Sequence, residues 1–250
     1  MSSVASGPAH VLAVSTTSMG KLGEIAALVR RVKLPVPLRL LTTLETAPDL
    51  VVIEDGVTFA ENAVKKARAL ARRTRMLVLA DDSGLEVDLL DGAPGLHSAR
   101  YAGTDGRSGT DEANRLKLIE ELTKRDAWTA SGDGDPTRQV KARFRCVLAV
   151  IDPLGASEED GGTVITAEGS CEGYIVREAR GQRGFGYDPV FVPAAREATG
   201  RTMAELGFEE KLGISHRGRA FDALVPALSK LLEARRTALD ALLGASVGAG

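Results

Sequence analysis

The chain is poor in the residues that build many cofactor sites and scaffolds. It has two cysteines, Cys146 and Cys171, in 250 residues. Two are too few for a disulfide framework, and their strand-like surroundings make buried, reduced thiols the expectation. Three scattered histidines beside those two cysteines exclude an ordinary zinc site. No haem, flavin or Rossmann signature occurs. No apolar run is long enough to span a bilayer, so no membrane partner is expected. The opening MSSVASGPAH lacks the charged start and apolar centre of a signal peptide, and the cytoplasm is the expected location. Net charge is also nearly absent, at -2. Without a broad basic field, binding to nucleic-acid backbone is not expected. A small anionic ligand in a local basic pocket remains open.

What is present is ordinary globular material, 44% hydrophobic and 26% charged, long enough for a substantial core. Residues 1–9 read as a flexible extension and 244–250 as a flexible tail. Residues 10–243 read as one domain with a surface insertion at 126–139, where Gly, Asp, Ser and Pro cluster. His10–Ser15 is a buried strand, and Lys21–Val32 carries apolar residues at helical spacing. Thr58 and Glu61 fit a capping box for the helix that follows, and Thr202 and Glu205 fit a second. An apolar run, Met76–Ala80, reads as a strand that stops on Asp81 and Asp82 and enters an acidic turn with Ser83 and Gly84. Val140–Ile151 and Thr163–Arg177 form a hairpin, and a final amphipathic helix runs from Arg219 to about Leu243.

Several stretches carry candidate chemistry. Strand, polar turn and helix around Lys21 form a plausible phosphate site, because backbone N–H groups at a helix start favour an anion. A Walker A motif is excluded, since it requires Gly where Ser15 stands and Ser or Thr where Leu22 stands. Glu54 sits just outside the next helix, where an acid can ligate a metal. Asn62 and Lys66 flank that helix's apolar face. Glycines flank Phe185 and Tyr187, offering aromatic surface on which a base can stack. His216 and Arg217 stand side by side. Each feature alone has a plain structural reading: a solvated lysine, a cap, an acidic turn, core aromatics. Together they supply what nucleotide hydrolysis needs, which is cations for phosphate, acids for Mg²⁺ and a water, and a base platform.

These same segments resemble the inosine triphosphate pyrophosphatase-like enzymes, which cleave dITP, ITP and XTP to monophosphates. The resemblance is carried by Ser15–Ile25, Glu54–Ala67, Leu79–Gly103 (with ADDSGL and GAPG), Arg183–Val192 (with GFGYDP) and Lys211–Gly218 (with SHRG), in family order. It implies an α/β fold, a long mixed sheet flanked by helices in two lobes with the cleft between them, and a homodimer. It implies a triphosphate loop at Thr16, Thr17, Ser18, Met19, Gly20 and Lys21. Asp82 matches the proton acceptor and, with Glu54, a Mg²⁺ ligand. Lys66 matches a lysine of the catalytic cleft, and Ser83 a substrate contact. Phe185, Gly186, Tyr187 and Asp188 match the base-binding loop, completed by Lys211, His216 and Arg217. The implied reaction is hydrolysis of a non-standard purine triphosphate to monophosphate and pyrophosphate, which keeps deaminated purines out of DNA and RNA. The chain departs from the family at Ser18, where Asn is usual. A non-catalytic nucleotide sensor and a phosphatase releasing orthophosphate are the alternatives.

Overall fold

The computed structural model describes residues 10–103, 109–128, 139–154 and 162–247, with side chains as far as 241. Most of the insertion at 126–139, the hairpin tip and residues 1–9 lie outside the described residues. The sheet has six strands in the order β2-β1-β3-β4-β5-β6. Strand β1 (His10–Ser15) lies parallel to β2 (Leu38–Thr42) on one side and to β3 (Leu77–Val87) on the other. Strands β4 (Val140–Asp152), β5 (Thr163–Ile175) and the short β6 (Phe191–Pro193) continue it antiparallel. The open mixed sheet flanked by helices is the fold expected.

Helices cover both faces where the strands are apolar on both sides. Helix α1 (Met19–Arg31) and the long α6 (His216–Val247) pack on one face through Ile25, Leu28, Phe221 and Leu224 against Leu12, Leu79 and Leu148. Helix α3 (Phe59–Thr74) packs on the other through Ala63, Ala67 and Leu70 against Ala13, Val78 and Ala80. A short α2 (Thr43–Thr46) lies between β2 and the extended stretch before α3. Leu85, Val87, Phe144 and Phe191 form a third core at the far end of the sheet, beneath α4 (Asp111–Lys124).

The acidic stretch departs from the sequence reading. β3 does not stop at Asp81; it runs 11 residues, to Val87. Its pairing explains this. β1 follows β3 only from Leu77 to Ala80, whereas β4 follows it from Val78 to Val87. Asp81 and Asp82 therefore lie in mid-strand, at the point where the parallel neighbour ends. Alternation then separates them: Asp81 shares a face with Leu77 and Leu79, toward α1 and α6, and Asp82 shares one with Val78 and Ala80, toward α3.

Two caps also differ. Thr58 accepts from Glu61 N as expected, but Glu61 Oε2 accepts from Val57 N rather than from Thr58. Thr202–Glu205 is a turn and not a helix start. The helix there, α5 (Phe208–Ile214), begins after Gly207, whose N–H donates to Glu210. Helix α6 begins at His216, which places His216 and Arg217 in its first turn, and it extends to Val247, past the expected start of the tail.

Candidate active site

Two cavities meet where β1 ends. One, of about 450 Å³, is lined by Thr16, Thr17, Ser18, Lys21, Glu54, Lys66, Asp81, Asp82, Ser83 and Arg100, among others. The second, of about 300 Å³, is lined by Phe185–Asp188, Lys211, His216 and Arg217, with Phe144 and Asp111. Thr17, Ser18, Lys21 and Ser83 line both, so the two are compartments of one cleft.

The loop 16–18 is held from within. Ser18 N donates to Thr16 Oγ1 at 3.1 Å, and Ser18 Oγ accepts from Lys21 N at 3.4 Å as the N-cap of α1. Serine caps a helix as well as asparagine does, so the departure at Ser18 keeps the cap. Met19 is 73% exposed and lines neither cavity. Gly20 lines neither, yet it decides the geometry: a Cβ there would overlap the Phe185 ring. The aromatic of the second compartment lies directly on the helix start of the first.

Asp81 is the hub on its face of β3. Its carboxylate accepts from Lys21 Nζ at 2.5 Å, Arg217 Nε at 2.8 Å, Ser83 Oγ at 3.0 Å and Cys146 Sγ at 3.0 Å. Burial opposes its charge, but Arg217 and Lys21 hold its carboxyl well below the usual carboxylate range. Arg217 is 1% exposed and also donates to Glu24, a buried acid of α1. Glu24 in turn takes Lys211 at 2.7 Å, and Lys211 takes Asp188 at 2.5 Å. Lys211 lies 4.6 Å from the Phe185 ring centroid, and Asp188 Oδ2 accepts from Phe185 N at 2.9 Å. The ring is thus fixed from its backbone and faced by a cation.

Asp82, on the opposite face, meets α3. Lys66 Nζ lies 2.6 Å from Asp82 Oδ1 and 3.0 Å from Glu54 Oε2. Burial pushes the Asp82 carboxyl up to about 6 despite Lys66, while the more open Glu54 is held below its ordinary value because Lys66 outweighs its burial. Asn62 Oδ1, one turn before Lys66, accepts from Gly56 N at 2.8 Å and so fixes the turn that presents Glu54.

His216 is buried, and burial followed by the Arg217 charge holds its imidazole well below its ordinary range, so the ring is neutral. It stacks on Phe144 at 4.8 Å, and its Nδ1 has no hydrogen-bond partner. His216 lines the aromatic compartment, and its Nδ1 is itself buried from solvent.

The structure brings together every expected site residue except Met19. Sequence reasoning missed Glu24, Arg100, Asp111, Arg115 and Cys146. Glu24 carried a usable signal: an acid on the helix face that also bears Ile25 and Leu28. Arg115 and Asp111 hold Gly186 from α4, through Arg115 Nη1 to its O at 2.7 Å and its N to Asp111 Oδ2 at 2.7 Å.

A mixed sheet whose central strand carries two acids past the end of its parallel neighbour, beside a lysine-bearing helix start, defines a class: α/β proteins that hold an anionic ligand at a strand switch point. The comparisons narrow the class. The chain belongs to the Ham1 family, whose model matches residues 12–227, in agreement with the resemblance drawn from the motifs. It is 44% identical over 221 residues to a dITP/XTP pyrophosphatase of Desulforamulus reducens, covering 88% of this chain and 96% of that protein. It is 46% identical over 213 residues to a dITP/XTP pyrophosphatase of Geobacillus kaustophilus, covering 85% and 91%. A HAM1 protein from Coxiella burnetii superposes with a TM-score of 0.69 at 35% identity, covering 88% of this chain and 99% of that one. A nucleoside-triphosphatase, or dITP/XTP pyrophosphatase, from Mycobacterium abscessus gives 0.61 at 36% identity, covering 86% and 99%.

Proposed function

We propose that this chain hydrolyses non-standard purine nucleoside triphosphates, dITP, ITP and XTP, to the monophosphate and pyrophosphate, and so removes deaminated purines from the nucleotide pool. One observation carries the reading. The acid-and-lysine compartment and the aromatic compartment share Thr17, Ser18, Lys21 and Ser83, so phosphates and base have adjoining places.

Glu54 and Asp82 converge on one ammonium, Lys66, at 3.0 and 2.6 Å. Two carboxylates aimed at one cationic point suit Mg²⁺, which takes one or two carboxylates and leaves its other positions to phosphate and water. Among the described residues no larger acidic or imidazole cluster competes for a metal. Bound there, Mg²⁺ would supply charge neutralisation for the phosphates. Lys21 and the loop 16–18 bind phosphate oxygens. Asp82, at about 6, is ionised at neutral pH and basic enough to accept a proton from the attacking water. The bond between the α- and β-phosphates breaks as pyrophosphate leaves. Phe185 stacks on the base, beside neutral His216.

The test is a triphosphate panel with product identification, run beside Asp82→Asn. Pyrophosphate release from dITP, ITP and XTP is expected, with kcat lowered about 10²–10⁴-fold in the variant. Tight ITP binding without release would favour a sensor, and orthophosphate as product a different phosphatase. A homodimer belongs to the same proposal. Val51, Ile53 and Val57, on one extended segment, are 85%, 71% and 79% exposed, apolar surface that a second copy would cover. Sedimentation equilibrium measures it.

A further inference from the structure

A count of charges across the cleft leaves one cation over. Lys21 is matched by Asp81, and Lys66 by Glu54 and Asp82. Lys211 is matched by Glu24 and Asp188, and Arg217 by Glu24 and Asp81. Arg100 alone, among the described cations that line the two compartments, has no carboxylate partner. Among the described residues, its side chain's one hydrogen bond is from Nη2 to the backbone carbonyl of Glu54, at 3.3 Å. That bond is long and neutral, and it leaves the other donors of the guanidinium uncommitted.

The position of Arg100 is built. It ends a 3₁₀ turn, Gly95–Arg100, that is tied on several sides. Ser98 Oγ accepts from Leu85 N at 2.9 Å and so fastens the turn to β3. Tyr187 Oη donates to Ser98 O at 2.9 Å, and Asn114 Nδ2 donates to Ala99 O at 3.2 Å. Arg100 lines the compartment of Glu54, Lys66 and Asp82 and is absent from the aromatic one. It therefore stands on the acid side of the cleft, while its neighbours Ser98 and Ala99 line the aromatic compartment. The other cations there are already neutralised in place, so a highly charged polyphosphate meets little free positive charge from protein.

We propose that Arg100 is a substrate-binding residue of the triphosphate's far end: its guanidinium grips the β- and γ-phosphates, which depart as pyrophosphate. This rests on the functional reading above. A planar fork of N–H donors suits phosphate oxygens two at a time, and an arginine without a carboxylate loses no ion pair when it takes them. The inference also gives the cleft a reason to prefer triphosphates to monophosphates, since a monophosphate has nothing at that position.

The experiment uses the full chain with Arg100→Ala, Arg100→Gln and Arg100→Lys. Gln keeps a planar N–H donor group on a shorter side chain and removes the charge. Readouts are kcat and KM for dITP, and the inhibition constants of inorganic pyrophosphate and of IMP. Ala and Gln are expected to raise KM and the pyrophosphate inhibition constant about ten-fold or more, with IMP inhibition unchanged and Lys restoring part of the loss. Wild-type pyrophosphate inhibition in Arg100→Gln would overturn the assignment. So would equal weakening of pyrophosphate and IMP, which marks general loosening of the cleft. If wild-type protein releases no pyrophosphate from dITP, ITP or XTP, the functional reading falls and this role with it. If the wild type turns over and the Ala and Gln variants match it, only the role of Arg100 falls.

Discussion

Arg217 directs four hydrogen bonds at protein, two to Asp81 and one each to Glu24 and Ser83. A guanidinium has five N–H donors, so little is left for a base. Its first task is to hold Asp81 of β3 and Glu24 of α1 together. Gly20 is the opposite kind of residue, useful for what it lacks. Gly20→Ala would add a methyl group where the Phe185 ring now lies. Alanine suits a helix better than glycine does, so stability is expected to hold. The displaced ring is expected to raise KM for dITP about ten-fold or more. Steady-state kinetics beside a thermal melt separates the two effects. Neither Arg217's saturation nor Gly20's contact was legible in the sequence. Both depend on partners far along the chain, such as Glu24, which is 193 residues from Arg217.

Helix α4 acts on the site through one glycine. Asp111 accepts from Gly186 N while Arg115 donates to Gly186 O, so the aromatic loop is latched at both sides of one residue. Asp111→Ala is expected to lower hydrogen-exchange protection of the Gly186 amide about ten-fold and to raise KM more than it lowers kcat. Equal protection in variant and wild type would refute the latch. The latch was illegible beforehand, because helical spacing reports a buried face and nothing of what the exposed end of a helix touches. β3 shows the reverse failure. Asp, Ser and Gly are poor strand formers, and Asp81–Gly84 read as a turn. Pairing with β4 overrode that local preference through Val87. The motif residues were legible because each is a chemical type in a fixed order. Their division between the two faces of β3 was not, since that follows from the strand's continuing.

At the scale of the molecule, buried charge links stability to pH. Burial disfavours ionised Glu24, but Arg217 and Lys211 outweigh it and hold its carboxyl below its ordinary value; Asp81 is held well below the usual carboxylate range. Both acids ionise more readily folded than unfolded. Their contribution is therefore complete above the ordinary carboxylate range and is lost as pH falls through it toward the folded values. Melting temperature is expected to drop between pH 5 and pH 3 (roughly the window where unfolded carboxylates take up protons), and Glu24→Gln should flatten that drop. Calorimetry across the range checks both. The interior is otherwise dominated by Leu, Ala and Val against the sheet, the part of the fold most fully legible from apolar spacing.

The Asp81 hub has a consequence for biogenesis. Arg217 reaches back 136 residues to Asp81 and 193 to Glu24. Synthesis proceeds from the amino end, so the acids, the phosphate loop and the aromatic platform all emerge from the ribosome before their shared counter-ion. A nascent chain that has made the whole sheet but not α6 holds Asp81 and Glu24 without the guanidinium that permits their burial. Catalytic competence should therefore appear late and all at once, when the last helix docks. A prematurely terminated product would be an inert chain rather than a partly active one with relaxed selectivity.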